Sequence, residues 1–253
     1  MKYSGLYFIP TPSNTPADTA TTASTLTTSL ETHFHTLTRS AAWSLTYRLF
    51  RDTPPRPSEL ASNPPSFAHT YHHFLTHTAL GQNRGYIHIA PPSSKGSGTV
   101  ASIPASQSEA QASLVRNQLA ALWNPRHVLS VQNGASYTGG LFTVQIGEVR
   151  ALREGQGGGV SSPGVVVCVS TIVGGESEPV QGDEAATQNG GEEEVDFEFV
   201  QATIRELWGK IREGRDLGRV EVREVFMVSK EDGKKEETDA VVRMWCEVLR
   251  LRG

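Results

Sequence analysis

Apolar and polar positions alternate most regularly at Trp43, Leu45, Tyr47 and Leu49, with Ser44, Thr46 and Arg48 between them. A period of two marks a strand buried on one side. Upstream, residues 3–9 read as a first strand stopped by Pro10 and Pro12, since proline has no N–H to give to a ladder. Between these strands Leu26, Leu30, Phe34 and Leu37 recur at helical spacing, which predicts a helix through a threonine-rich stretch. Five prolines in residues 51–66 predict an irregular, proline-rich loop.

Residues 70–76 and 85–90 read as a hairpin about the Gly81 to Arg84 turn, followed by a loop over 91–98 and a short strand at 99–103. Ser106 with Glu109 three residues on has the form of a capping box. The helix it would open carries Leu114, Leu119, Leu122 and Trp123 and stops before Pro125. Strands over 127–133, 141–149 and 165–173, separated by glycine-rich turns at 134–140 and 155–164, suit an antiparallel meander. Residues 174–195 have almost no apolar content and read as an acidic, disordered insertion. Beyond it Phe197, Val200, Ile204, Leu207 and Ile211 define a strongly amphipathic helix, with acidic residues at its start, Lys210 and Arg212 at its end and Gly214 to terminate it. A strand at 220–228, its alternation slipping between Val222 and Val225 as at a bulge, precedes a last helix carrying Val241, Met244, Trp245, Val248 and Leu251.

The 253 residues suffice for a sizeable core. The longest aliphatic run, residues 165–169, is far short of the roughly 20 residues of a membrane span, and the amino terminus has too short an apolar block for an export signal. Two cysteines, Cys168 and Cys246, make neither a disulfide framework nor a cysteine zinc site, so the chain is expected to be intracellular. Residues 1–175 hold 11 Lys and Arg against 7 Asp and Glu, while 176–253 hold 12 against 20. Neither part is basic enough to hold a nucleic acid backbone, and no direct nucleic acid or membrane contact is expected.

His69, His72, His73 and His77 are the most tempting chemical group, because three of them would share a helical face and could hold zinc. Tyr71, Phe74 and Leu75 fit a strand better, which spreads the imidazoles too far for one ion, so surface histidines of an edge strand are expected instead. Gly155, Gly157, Gly158 and Gly159 lack the strand and helix context of a dinucleotide site. Lys95 and Gly96 lack the rest of a phosphate loop, and Ser97 sits in no nucleophile elbow. Cys168, inside a run of valines, is expected to be a buried hydrophobe. Asp183, Glu184 and Glu192 to Glu194 read as a solvated linker, with acidic partner binding as the alternative, and Trp43, Trp123, Trp208 and Trp245 as core residues. No acid, base, nucleophile or metal set assembles, so no catalytic, cofactor-binding or metal-binding residue is expected; the chain reads as one that acts by surface contact.

The stretch Gly134-Ala135-Ser136-Tyr137-Thr138-Gly139-Gly140-Leu141-Phe142-Thr143-Val144-Gln145-Ile146-Gly147-Glu148-Val149 resembles a segment of the Mediator complex subunit 20 family. In that family a glycine, a tyrosine three later, then phenylalanine, valine, glycine and valine occur at this spacing, here Gly134, Tyr137, Phe142, Val144, Gly147 and Val149. Residues 5–10 and 43–50 look like its fungal members, and the order of elements agrees. The resemblance implies an α+β fold with a strongly curved antiparallel sheet or barrel, here of about eight to nine strands flanked by about four helices in a single barrel-like domain over residues 1–253. Residues 51–66 and 174–195 would then be insertions.

It implies a non-catalytic, nuclear subunit of the Mediator head module, the coactivator that couples transcription regulators to RNA polymerase II. Such a subunit pairs with subunit 18, which a segment of subunit 8 tethers to the rest of the head. Phe142, Val144 and Ile146 would face the core and Thr143 and Gln145 outward; Gly134 and Gly147 would admit turns or bulges, and Tyr137 would pack with its hydroxyl tied to a neighbour. The rival classes are a tunnel-fold, metal-dependent triphosphatase and an unrelated scaffold protein. The triphosphatase needs paired glutamates two apart on a strand. Glu176 with Glu178 and Glu192 with Glu194 have that spacing only in the acidic insertion, and Glu221 with Glu224 lacks it.

Overall fold

The computed structural model describes residues 2–11, 13–54, 67–92, 98–152, 161–172, 197–215, 220–228 and 233–250. Residues 55–66 of the proline-rich loop, the loop residues 93–97, the glycines at 155–159, the acidic stretch 174–195 and Leu251 lie outside the described residues. Ten strands and four helices follow in the order β1 (Lys2–Pro10), α1 (Pro16–His33), β2 (Thr38–Arg39), β3 (Trp43–Asp52), β4 (Tyr71–His77), β5 (Arg84–Ala90), β6 (Thr99–Pro104), α2 (Ala105–Asn117), β7 (Trp123–Gly139), β8 (Phe142–Leu152), β9 (Ser161–Ile172), α3 (Phe197–Arg212), β10 (Arg223–Phe226) and α4 (Gly233–Leu249).

All strands join one antiparallel sheet ordered β10-β1-β9-β8-β7-β3-β4-β5-β6, with the two-residue β2 added beside β7. Helix α4 packs on β10 and β1 at one end of that path and on β4, β5 and β6 at the other. Laid flat, the eight steps from β10 to β6 would span about 38 Å, whereas a helix of this length reaches only about 26 Å. The sheet is therefore curled around α4 as a half-barrel, the strongly curved α+β architecture expected from the sequence. On the outer face α1 and α3 cover β1, β8 and β9, while α2 covers β4 to β7 with a small core of Phe50, Phe74, Ala112 and Val115. Strands covered on both faces lose the polar side of their alternation, and Val165 to Val169 of β9 are accordingly all buried.

Several elements differ from the sequence reading. Strand β7 runs on through the glycine-rich residues taken as a turn, because it continues to pair with β3 and β8. Its register against β8 slips by one residue between Ser130 and Ala135, with Asn133 at φ 55°, so the glycine segment holds a bulge; the actual turn falls at Gly140, φ 55°. Helix α2 has Pro104 at its N-cap and no side-chain cap, since Glu109 instead binds Arg48 across the α2–β3 contact. It ends at Asn117, and Trp123 opens β7 rather than closing the helix. Helix α1 ends at His33, leaving Phe34 and Leu37 in the turn that follows, and β3 extends through Asp52. The ladder of β10 with β1 is regular from Arg223 to Phe226, so the slip at Val222 is simply the strand's beginning and no bulge.

Candidate functional site

Trp43 organises the motif that carries the family resemblance. Its side chain is 2 % exposed and its Nε1 donates to the Ala135 carbonyl at 3.0 Å. The indole packs closely against Gly134 and Gly147: a Cβ at Gly147 would stand 2.7 Å from Trp43 Cζ2 and 2.6 Å from Val131 Cγ1, and one at Gly134 would meet the same ring. Two glycines on neighbouring strands thus make a slot for one tryptophan, a close approach that no side chain permits.

Val144 and Ile146 are buried on the outer face beneath α1, Val149 is buried as well, and Phe142 is half-buried against the core. Tyr137 is buried, and its hydroxyl donates to Glu31 Oε1 of α1 at 2.5 Å. Burial and the adjacent Glu31 carboxylate push that phenol up to about 12. The arrangement positions α1 and a tryptophan.

The histidines of β4 fall on both faces, and the expectation of an exposed edge strand is corrected: β4 lies inside the sheet between β3 and β5. His69 pairs with Asp52 at 2.8 Å. His72 stacks on Phe74, 4.7 Å between ring centroids, and meets Trp123 edge-on, on the α2 side. His73 and His77 turn the other way, toward α4, and are buried. His77 lies parallel to the Trp43 ring at 4.9 Å and edge-on to Trp245 at 4.7 Å. His73 shares a 2.8 Å hydrogen bond with the Tyr47 hydroxyl and stacks on His88 of β5 at 5.1 Å. Burial keeps these rings neutral: His72 is lowered to about 4, His77 to about 3, and His73 well below its ordinary range, helped by His88 and Arg250.

His88 and Cys246 complete the one group of potential metal ligands found among the described residues, with His73. Neither was singled out as a ligand by sequence reasoning, because the alternation that puts His73 beside His88 and beneath α4 exists only once β4, β5 and α4 are assembled. Their ligand atoms lie within 4.8 Å of one another. Zinc held at about 2.0 Å by nitrogen and about 2.3 Å by sulfur draws its donors to roughly 3.3–3.7 Å apart. In this cluster, however, the two imidazoles are stacked ring on ring, and the Arg250 charge bears on His73. The Cys246 thiol is pushed far above its ordinary value by burial and Cys168 to about 11, so both behave as small hydrophobes and not as nucleophiles. The fit to an ion is poor, and the fit to a polar-edged aromatic core is good.

The buried residues, among those described, include no carboxylate. Glu224 of β10 faces α3, where it pairs with Arg205 at 3.0 Å, and Glu221 precedes the strand, so the two do not converge. The paired glutamates of the acidic stretch lie outside the described residues. Glu148 of β8 accepts from Thr19 and Ser162, each at 2.8 Å, and pairs with Arg150 at 3.0 Å. Desolvation raises this carboxyl, but the three donors outweigh it and hold it below its usual value.

Comparison with known proteins places these features in context. Among solved structures the chain is similar to the PH1012 protein of Pyrococcus horikoshii OT3, at 10 % identity and TM-score 0.42 over 87 % of this chain and 94 % of that one. It is also similar to the PH1819 protein of the same organism, at 11 % identity and TM-score 0.38 over 94 % and 97 %. No curated protein sequence matches it. Residues 1–241 match the family described as TATA-binding related factor (TRF) of subunit 20 of Mediator complex, a transcriptional coactivator. That span contains the Trp43 slot, the histidines beneath α4 and the whole sheet, and the chain therefore belongs to the Mediator subunit 20 family.

Proposed function

We propose that this Mediator subunit works without catalysis, as an assembly component of the head module in the nucleus that pairs with subunit 18. Subunit 8 would link the pair to the rest of the head and so to the RNA polymerase II machinery. In this reading residues 1–253 form a single barrel-like domain, the proline-rich loop beyond β3, residues 53–66, and residues 174–195 are insertions in it, and no cofactor or direct nucleic acid contact is needed. Gly134, Tyr137, Phe142, Val144, Gly147 and Val149 serve to build the scaffold that a partner recognises.

The observation that carries the reading is the family match over residues 1–241, joined to an interior of indole, phenol, imidazole and aliphatic side chains. A chain of this kind has surfaces and sheet edges to offer, with β6 and β10 each hydrogen-bonded on one side only among the described residues. Co-expression with subunit 18 of the same organism, followed by affinity capture and light scattering, tests the pairing. A stable one-to-one complex is expected. A chain that stays monodisperse by itself and never co-purifies with subunit 18 would contradict it.

A further inference from the structure

The strands at the two ends of the sheet path make unlike edges. Strand β10 is four residues long and carries Arg223 and Glu224, charges of the kind that keep an edge from pairing with another chain. Strand β6 is six residues long and uncharged, and its register with β5 runs from Thr99 to Pro104 without a bulge. The phase of its hydrogen bonds follows from the residue just past it. Ala105 N donates to the Asn83 carbonyl at 2.9 Å, and in an antiparallel ladder every second pair is bonded in this way. Thr99, Ala101 and Ile103 therefore turn their N–H and C=O groups to β5, whereas Val100 and Ser102 turn theirs to the open edge. Pro104, which has no N–H, falls in the same outward phase, where the ladder with β5 needs none. Among the described residues nothing hydrogen-bonds the outward groups of Val100 and Ser102. The side chains of Thr99, Ala101 and Ile103 share the outer face with Ile87 and Ile89, where Thr99 and Ala101 are exposed and Ile89 is 42 % exposed.

We propose that the open edge of β6 pairs with the β6 edge of a second copy of this chain, antiparallel about a twofold axis through Ala101. In that register Val100 of each copy exchanges two backbone hydrogen bonds with Ser102 of the other, and every outward N–H and C=O of the four residues is used. An extended peptide backbone supplies donors and acceptors in that order, whereas a phosphate backbone offers acceptors alone and leaves the outward carbonyls unserved. Self-complementarity selects a second copy as the occupant. A twofold axis sets the strand against its own reversed sequence; like charges directly opposite would oppose this, and β6 has none. The residue that meets its own counterpart is Ala101, the smallest side chain of the strand, and Ile103 of each copy stands opposite Thr99 of the other. On the outer face Ile87 and Ala101 of both copies then form one apolar row, with Ile103 of the second copy in line with the exposed Ile89. A seam of one short strand from each copy is well below a standard interface, so the association is weak and concentration-dependent. It concerns the chain by itself and stands or falls separately from the pairing with subunit 18.

The test is sedimentation velocity of the full chain from about 1 to about 300 µM, where a reversible monomer–dimer equilibrium is expected. Ser102→Pro removes an outward N–H and no bond to β5, and should weaken the dimer about tenfold. Ala101→Glu and Ala101→Lys each set like charges at the axis and should each weaken it about tenfold, and mixing the two should restore a heterodimer. Val228→Glu, at an exposed residue beyond β10, should leave the equilibrium unchanged. Circular dichroism melting confirms that each variant is folded. Four results would overturn the proposal. The parent stays monomeric at the highest concentration; S102P and A101E dimerise as the parent does; the mixture of A101E and A101K associates no better than either alone; or the parent is monomeric by itself while S102P loses the capture of another protein, which would give the edge to a partner's strand.

Discussion

Trp43 shows how a single side chain dictates residues almost a hundred positions away. Gly134 and Gly147 are glycines because the indole occupies the space where a Cβ would sit. Gly147→Ala keeps the strand's backbone conformation yet drives a methyl group to within 2.7 Å of the ring, and overpacking of this kind costs about 1–3 kcal/mol. Urea unfolding of G147A, compared with an alanine at the open position Gly209, measures it; G209A should lose nothing by crowding. The spacing of the motif was legible in the sequence, but its cause was not. Alternation along residues 141–149 separates Val144 and Ile146 from Thr143 and Gln145, but the expected direction is reversed: Val144 and Ile146 lie on the outer face beneath α1, and Thr143 and Gln145 share the Trp43 side with Gly147. Nothing local announces that Gly134 sits opposite a tryptophan. A run of glycines in isolation is read as a turn, and only the long pairing with β3 and β8 makes it a strand with a bulge.

Among elements, α3 was the most readable, since its apolar residues repeat without interruption and Val200, Ile204, Leu207 and Ile211 are all buried. Helix α1 was harder. Its buried face is only Thr19, Leu26, Ser29 and Leu30, and part of its attachment is polar and invisible to hydrophobic periodicity. Thr19 donates to Glu148 on β8, and Tyr137 on β7 donates to Glu31. Glu148 thus ties α1, β8 and the start of β9 together through one carboxylate. Hydrogen bonds to a charged group contribute about 1.5–3 kcal/mol net and neutral ones about 0.5–1.5, so Glu148→Gln, which keeps an acceptor in place and removes the charge, should cost about 1–3 kcal/mol in all. Hydrogen exchange on E148Q should show α1 opening before the β7–β8–β9 meander does; uniform loss of protection across both would place the carboxylate's role elsewhere. The end of α2 was misread for a related reason: Leu119 and Leu122 continue a helical spacing, but the chain turns after Asn117 so that Trp123 can open β7.

For the molecule as a whole, the histidines around α4 set a pH dependence. In the unfolded chain each imidazole titrates near 6.5, whereas folded His77 is lowered to about 3 and His73 also lies well below its ordinary value. Between those values only the unfolded state takes up the proton, so stability is complete above about pH 6.5 and declines as the pH falls toward 3. Each such histidine contributes a slope of up to about 1.4 kcal/mol per pH unit. Thermal melts from pH 8 to pH 4 should therefore be level above pH 7 and fall steadily below 6.5, and His77→Gln should flatten the acid limb whatever it does to the neutral melting point. An unchanged slope in H77Q would mean that His77 is not buried as a neutral ring. The sequence reading placed these histidines on a surface because a strand with mixed polarity looks like an edge; burial by α4 is a property of the curl, which no window of residues contains.

The same curl has a consequence for how the protein is made. During synthesis β1 leaves the ribosome first, yet its neighbours β9 and β10 come more than 150 residues later, and α4, which fills the hollow of the sheet, follows them all. A nascent chain that has already formed β3 to β8 therefore holds an open, greasy trough until its last helix emerges, and chaperones that shield such surfaces have their longest opportunity on this protein in that interval.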